Sequence, residues 1–194
     1  MSLIEQLAQS ARTFLANHPI HVDPGCDALP QGVHRFGLAQ GSGSMVVLQP
    51  HDGRGKAIKA HWLPWASEGA TTMVLAPDQT HIFFTSEMSG CRFTYEEQPD
   101  GRVRVAHLAG NIKVAKPTGK GEYTGGFGRN KAQDAMFGPG PHPLLRSLSY
   151  TEYGPNWAFV VGNYAGGHWK FVAQINRGDG VAQAVEVDRA LTIQ

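Results

Sequence analysis

Cys91-Arg92-Phe93-Thr94-Tyr95-Glu96 and Arg102-Val103-Arg104-Val105-Ala106-His107 both alternate apolar or aromatic with polar side chains, and Glu97-Gln98-Pro99-Asp100-Gly101 lies between them. A period of two over six residues is the mark of a strand with one covered face. Pro99 and Gly101 stand where a type I turn with a left-handed third residue wants them. The segment therefore predicts an antiparallel β-hairpin with Phe93, Tyr95, Val103 and Val105 on its buried side. Arg92, Thr94, Glu96, Arg102 and Arg104 fall on the other side, expected to be wet.

Working outward, the same texture of short β-branched and aromatic runs broken by Gly, Pro and Asp begins at residue 33. It predicts strands at 33–39, 44–49, 56–63, 71–75, 80–85, 91–96, 102–108, 157–162, 168–175 and 182–187. Gly41-Ser42-Gly43 and Asp52-Gly53-Arg54-Gly55 read as hairpin turns between the first three. Toward the N-terminus, Leu3, Leu7, Phe14 and Leu15 recur at helical spacing behind a Ser2/Glu5 capping-box pattern, which predicts one amphipathic helix over 2–17. Residues 116–143, rich in Gly and with four Pro, read as long irregular loops with one short helix near 130–137. Their length marks them as the rim of a site. The fold class expected is α+β: a mainly antiparallel β-sandwich or barrel-like core flanked by an N-terminal helix, short helices and long loops.

At 194 residues the chain is long enough to bury a core as one domain, 1–194. A formal net charge of +1 with 17% charged residues argues against a polyanion partner, so no nucleic-acid binding is expected. Two cysteines, Cys26 and Cys91, make no disulfide framework and are expected free. The start Met1-Ser2-Leu3-Ile4-Glu5-Gln6 lacks the basic, apolar pattern of a secretory signal, and no segment reaches the roughly 18 apolar residues of a membrane span. A soluble monomer without membrane contact is the expectation, any export using a specialised route.

The hairpin also carries chemistry. By parity Cys91 and His107 lie on the buried side, with β-carbons about 5 to 8 Å apart for an opposed or a diagonal register. A thiol with a pKa near 8.5 is mostly unreactive at neutral pH, and an adjacent imidazole can accept its proton. Ser89-Gly90 before the cysteine supplies a tight turn that can expose sulfur and aim main-chain N–H groups, Cys91's own among them, at an oxyanion. The bland alternative is an inert core cysteine beside one of nine histidines.

These residues resemble the catalytic domains of the cytotoxic necrotizing factor and Burkholderia lethal factor family of glutamine deamidases. The likeness rests on Trp62-Leu63-Pro64-Trp65 and on Phe83-Phe84-Thr85, leading through Ser86-Glu87-Met88 to Ser89-Gly90-Cys91, with His107 closing the next strand. It spans residues 58 to 107, about a quarter of the chain. Met88 stands where the family commonly has leucine, a volume-conserving difference. The resemblance implies Cys91 as nucleophile, His107 as its base and Thr85 as the residue that supports the histidine. It implies hydrolysis of a protein glutamine side chain to glutamate without metal or organic cofactor, by a bacterial toxin or effector acting in target-cell cytosol. The partner implied is a host or competitor protein with a reactive glutamine, such as a translation initiation factor helicase or a small GTPase.

Rival readings are transglutaminase-type amine transfer through the same thioester, a cysteine peptidase, and a catalytically inactive β-sandwich binding protein. Trp62 and Trp65 read as core or wall aromatics. His61 and His81 have no zinc-site spacing, so no metal is assigned. Gly121-Glu122-Tyr123-Thr124-Gly125-Gly126-Phe127-Gly128 lacks the Lys-Ser/Thr of a phosphate loop and reads as a mobile loop edging the site. His168 reads as a surface histidine in a turn, and Cys26 as incidental.

Overall fold

The computed structural model describes residues 1–76, 80–140, 144–176 and 182–187. Its first part forms α1 (Leu3–Gln9), α2 (Ala11–Asn17), β1 (Ile20–Val22), α3 (Pro24–Asp27), β2 (Gly32–Gln40), β3 (Val46–Pro50), β4 (Ile58–Leu63) and β5 (Ala70–Leu75). Next come β6 (Ile82–Thr85), β7 (Arg92–Glu97), β8 (Val103–Leu108), β9 (Lys113–Ala115), β10 (Glu122–Thr124) and α4 (Gly125–Phe137). The last are β11 (Leu145–Ser149), α5 (Tyr150–Tyr153), β12 (Trp157–Ala165), β13 (His168–Asn176) and β14 (Ala182–Glu186). All ten strands read from sequence are present within a few residues, and the α+β class holds: a large, curled, antiparallel-rich sheet with a few short helices. Among the described residues no helix is long and apolar enough to cross a membrane.

The strands assemble into an eight-stranded sheet, β1-β3-β2-β4-β6-β12-β13-β14, a four-stranded sheet, β11-β7-β8-β5, and the small β9–β10 pair. Side-chain alternation along the large sheet sorts its residues into two cores. Trp62, Phe84, Phe159 and Val161 point one way and pack with Leu7, Phe14 and Leu15 of α1 and α2. Leu63, Phe83, Val160 and Phe171 point the other way and pack with Phe93, Tyr95, Val103 and Val105 of the hairpin. Ring centroids of Phe83, Phe93 and Phe171 lie 5.4 to 5.8 Å from one another, so the two sheets are joined by an aromatic cluster. Truncating any one of these rings to Ala would cost about 3–5 kcal/mol.

The hairpin is built as its sequence dictates. Gly101 adopts φ +80° and its N–H donates to Gln98 C=O at 3.0 Å, while Gln98 N–H donates to Arg102 C=O at 2.8 Å. The register pairs Phe93 with His107, Tyr95 with Val105 and Glu97 with Val103. The opposite face, however, is not wet at its site end. α4 lies over it: Arg92 Nη1 donates to Asn130 Oδ1 at 2.8 Å and Gln133 Oε1 at 3.2 Å, Arg104 Nη1 donates to Met136 C=O, and Thr94 is fully buried. Ala106 and Leu108 on this face meet Ala132 and Phe137 in a third core.

Other expectations also need correction. The region 116–143 is not mainly irregular: β9 and β10 pair antiparallel, and α4 starts at Gly125 rather than near 130; residues 141–143 lie outside the described residues. The glycines misled because they lower helix propensity, yet Gly128 is needed for contact, since a Cβ there would sit 2.8 Å from Tyr123 O. The supposed mobile loop at 121–128 is thus a strand leading into that helix. The helix over 2–17 is two helices: Ser10 N–H closes α1 on Gln6 C=O, and its hydroxyl accepts Thr13 N–H to open α2. A serine that bonds its neighbours' backbone favours such a break. Finally, Asp52–Gly55 is not a hairpin turn, because β3 and β4 lie on either side of β2 and the chain crosses between them.

Candidate active site

Thr85 ends β6, where Leu63↔Thr85 is the last pair of the parallel β4–β6 ladder. Its hydroxyl donates to Leu63 C=O at 2.9 Å and lies 2.9 Å from His107 Nδ1 on the other sheet. A hydroxyl has one hydrogen, so with that hydrogen on Leu63 the contact to His107 requires Nδ1–H as donor. This fixes the tautomer and leaves Nε2 with the free lone pair. Nε2 is buried and has no hydrogen-bond partner among the described residues. Burial without a compensating charge lowers the pKa of His107 to about 4, so the imidazole is neutral at ordinary pH.

Cys91 precedes β7 on the same inter-sheet side, packed with Leu63, Met88 and Ala158. Because His107 faces Phe93, the thiol and imidazole are diagonal rather than opposed, a relation that separates Cα atoms by about 7–8 Å. The structure brings Cys91, His107 and Thr85 to one side of the ribbon, but no hydrogen bond joins Nε2 to Sγ. Instead the sulfur receives main-chain N–H groups of Gly110 and Ser89 and the side-chain N–H of Trp65, with the Arg129 guanidinium nearby. Burial pushes the thiol pKa up, and these donors and that charge oppose the rise.

Sulfur and donors sit at the floor of a cleft of about 530 Å³. Ser89, Gly90 and Cys91 form part of its lining, together with Gly110, Asn111 and Arg129 from the connection after β8 and from α4. The two turns are in close contact: a Cβ on Gly110 would lie 2.9 Å from Gly90 O, so only glycine fits. Arg129 Nη1 holds Gly110 C=O at 3.0 Å. On the facing wall Ser86 donates to Asp27 Oδ1 at 2.6 Å and accepts the main-chain N–H of Trp65 at 2.9 Å. Glu87 accepts Val22 N–H at 2.6 Å and lies 3.1 Å from His21 Nδ1; burial raises its carboxyl pKa against both contacts.

Of the oxyanion and turn residues expected from sequence, Ser89 aims its N–H at the sulfur, but Gly90 does not. The Gly90 N–H is taken by the hydroxyl of Tyr153, and its place is filled by Gly110, nineteen residues beyond the cysteine. Trp62 is core and Trp65 is wall, 43% exposed, with its indole against the Cys91 sulfur. His61 meets Trp169 edge to face in the interior, His81 lies tilted beside Tyr164, and His168 is exposed at the β12–β13 turn. Cys26 is a core thiol that donates to Leu48 C=O at 3.5 Å. Sequence reasoning missed Gly110, Arg129, Ser86, Asp27 and Tyr153; of these only Gly110-Asn111, a turn signal directly after the histidine strand, left a mark that could have been read.

Among the described residues no group of three or more His, Cys, Asp or Glu side chains is gathered to hold a metal ion. Neither protein-family models nor curated proteins give a match to this chain.

Proposed function

We propose that this chain is a cysteine-dependent protein-glutamine deamidase, with Cys91 as nucleophile, His107 as base and Thr85 as the residue that orients it. The observation that carries the reading is the hydrogen-bonded series Leu63 C=O, Thr85 hydroxyl, His107 Nδ1, which leaves a buried Nε2 uncommitted on the same side of the ribbon as Cys91, a residue that lines the cleft. A buried imidazole lone pair without a partner costs stability and is an ordinary feature of catalytic bases. The reading gains support from the meeting of the two sequence blocks of the deamidase resemblance. Trp62–Trp65 and Thr85–Cys91 come together through Leu63↔Thr85, through Ser86 on Trp65 N–H, and through the Trp65 indole on sulfur.

The chemistry begins from a neutral thiol and a neutral imidazole. The mechanism requires Cys91 to take the staggered rotamer that turns Sγ toward Nε2, rotamers whose Sγ positions differ by about 3 Å. Nε2 then takes the thiol proton as sulfur attacks the glutamine carboxamide carbon. The oxyanion is held by the N–H groups of Ser89 and Gly110. The imidazolium returns the proton to the departing nitrogen, which leaves as ammonia, and the acyl group remains on sulfur as a thioester. Water, deprotonated by Nε2, attacks the thioester, giving the glutamate side chain and the free thiol.

The partner is a protein presenting an exposed glutamine, and the site of action proposed is the cytosol of a target cell, reached as a toxin or effector. A translation initiation factor helicase and small GTPases are the first targets to test. Purified protein incubated with such targets is expected to release ammonia and add about one dalton at one glutamine, as thioester hydrolysis requires. Incorporation of a labelled amine instead would reassign the site to amine transfer, and neither product across a host lysate would overturn the enzyme reading in favour of a binding module.

A further inference from the structure

Tyr153 is 2% exposed, sits 62 residues beyond the nucleophile, and spends its hydroxyl wholly on the turn that carries it. The hydroxyl donates to Cys91 C=O at 2.9 Å and accepts Gly90 N–H. The short helix that carries the ring is anchored through its main chain: α5 starts with a capping box in which Ser149 N–H donates to Glu152 Oε2 at 2.7 Å, and Asn156 Nδ2 donates to Tyr153 C=O at 2.9 Å. The turn so gripped holds Gly90 at φ +91° and presses it against Gly110.

We infer that Tyr153 is the positioning residue of the nucleophile: by tying Gly90 N–H and Cys91 C=O to one rigid phenol it fixes the turn so that Ser89 N–H and Gly110 N–H converge on Sγ. The hydroxyl is amphoteric, and both of its roles are used on main-chain groups flanking one Cα–Cα step. Without it both groups lose this partner, the Cys91 C=O in a buried setting, and the turn can recover them only by rotating peptides. Either a shift of the turn that carries the 88–89 peptide with it or retreat of Gly90 from Gly110 takes a donor off the sulfur. Tyr153 thereby excludes Gly90 from the oxyanion site and makes that site a joint product of two turns. Its part in turnover rests on the deamidase reading above, whereas its hold on the thiol does not.

The test is therefore made on the thiol as well as on turnover. Tyr153→Phe keeps the ring and removes the hydroxyl. Iodoacetamide alkylation of Cys91, followed by peptide mass mapping across pH, is expected to shift its midpoint upward by about one pH unit, because two hydrogen bonds to the thiolate are misaligned. At pH 7.5 the alkylation rate is expected to drop about tenfold, and kcat for ammonia release about 10- to 100-fold with KM nearly unchanged. A lowered Tm with an unchanged alkylation profile would reduce Tyr153 to a structural role and overturn the inference. Should Tyr153→Phe fail to fold, Asn156→Ala loosens the main chain that carries the same ring, from outside the cleft, and is expected to give a shift of the same sign and about a third the size; no shift there overturns the inference too. If wild type releases no ammonia from any target but the alkylation shift is found, the deamidase reading fails and the positioning of Cys91 stands.

Discussion

Cys26 and Cys91 are both free, both buried and both pushed above the ordinary thiol pKa, yet their surroundings differ in sign. Cys26 belongs to α3 and the helix-side core; its thiol donates to Leu48 C=O, and the carboxylates of Asp23 and Asp27 add to burial in driving its pKa up to about 12. Cys91 belongs to the core between the sheets, and the polar groups that oppose its burial favour a thiolate: two main-chain N–H donors, an indole N–H and the Arg129 charge. Burial alone raises a thiol pKa in both places. The partners decide whether the sulfur can be made anionic at the moment it is needed.

The strongest way to break this contrast is to exchange the two thiols. Cys91→Ala is expected to lower ammonia release by at least about 10³-fold with the fold intact, while Cys26→Ala leaves turnover within about twofold and costs roughly 1 kcal/mol of stability. Circular dichroism melts alongside the turnover assay separate the two effects. Activity lost from Cys26→Ala at unchanged stability would mean that the contrast had been drawn the wrong way round.

Acid sharpens the contrast next. The inter-sheet core holds a buried imidazole, His107, whose pKa falls from 6.5 to about 4. Above pH 6.5 both folded and unfolded chains leave this ring uncharged, and its stability contribution is fully present. Between 6.5 and 4 the unfolded chain takes up the proton and the folded chain does not, so stability falls with pH, by about 3 kcal/mol in total at 1.36 kcal/mol per unit. Urea unfolding at pH 6.5 and 4.5 is expected to show a loss of about 2–3 kcal/mol that His107→Gln largely removes. The acid limb of kcat/KM is expected well below pH 6 for the same reason, since the base stays neutral down to its folded pKa.

Thr85→Val then tests the device that orients the base. It deprives Nδ1–H of its acceptor and Leu63 C=O of one of its two donors, the Ser86 N–H remaining, so both tautomers become accessible and part of the population carries its proton on the wrong nitrogen. A 10- to 100-fold fall in kcat is expected, with roughly 1–2 kcal/mol lost in stability. Nitrogen chemical shifts of the His107 ring, measured in wild type and variant, would register the loss of the single tautomer.

What could be read in advance follows from what leaves a local trace. Strand alternation fixed the shared side of Cys91 and His107 because parity is set by the chain's own neighbours and by a turn, Pro99 to Gly101, that closes within five residues. The cover on the opposite face could not be read. α4 buries Gly128, Ala132, Gln133 and Phe137, so two of its four buried positions lack an apolar side chain and the usual helical stripe is absent. Tyr153 and Arg129 reach Cys91 from elements 62 and 38 positions further along the chain, on short or glycine-led helices whose docking depends on tertiary contact. The Ser10 break and the crossing of β2 by residues 51–57 were hidden for the same reason: each is decided by a partner elsewhere in the fold.

The smallest effect tests the sign of charge directly. Arg129 both holds Gly110 C=O and contributes a positive field at Cys91, and the two roles separate by substitution. Arg129→Lys keeps the charge but loses the planar fork, whereas Arg129→Gln loses the charge and keeps a donor. If the field matters most, Arg129→Gln raises the alkylation midpoint of Cys91 by about half a pH unit and Arg129→Lys leaves it nearly in place. If the grip on Gly110 matters most, the order reverses. In either case Cys26, walled by carboxylates on the other side of the large sheet, is expected to stay unlabelled throughout. Labelling of Cys26 at a comparable rate would mean that the partners around the two sulfurs do not govern their reactivity.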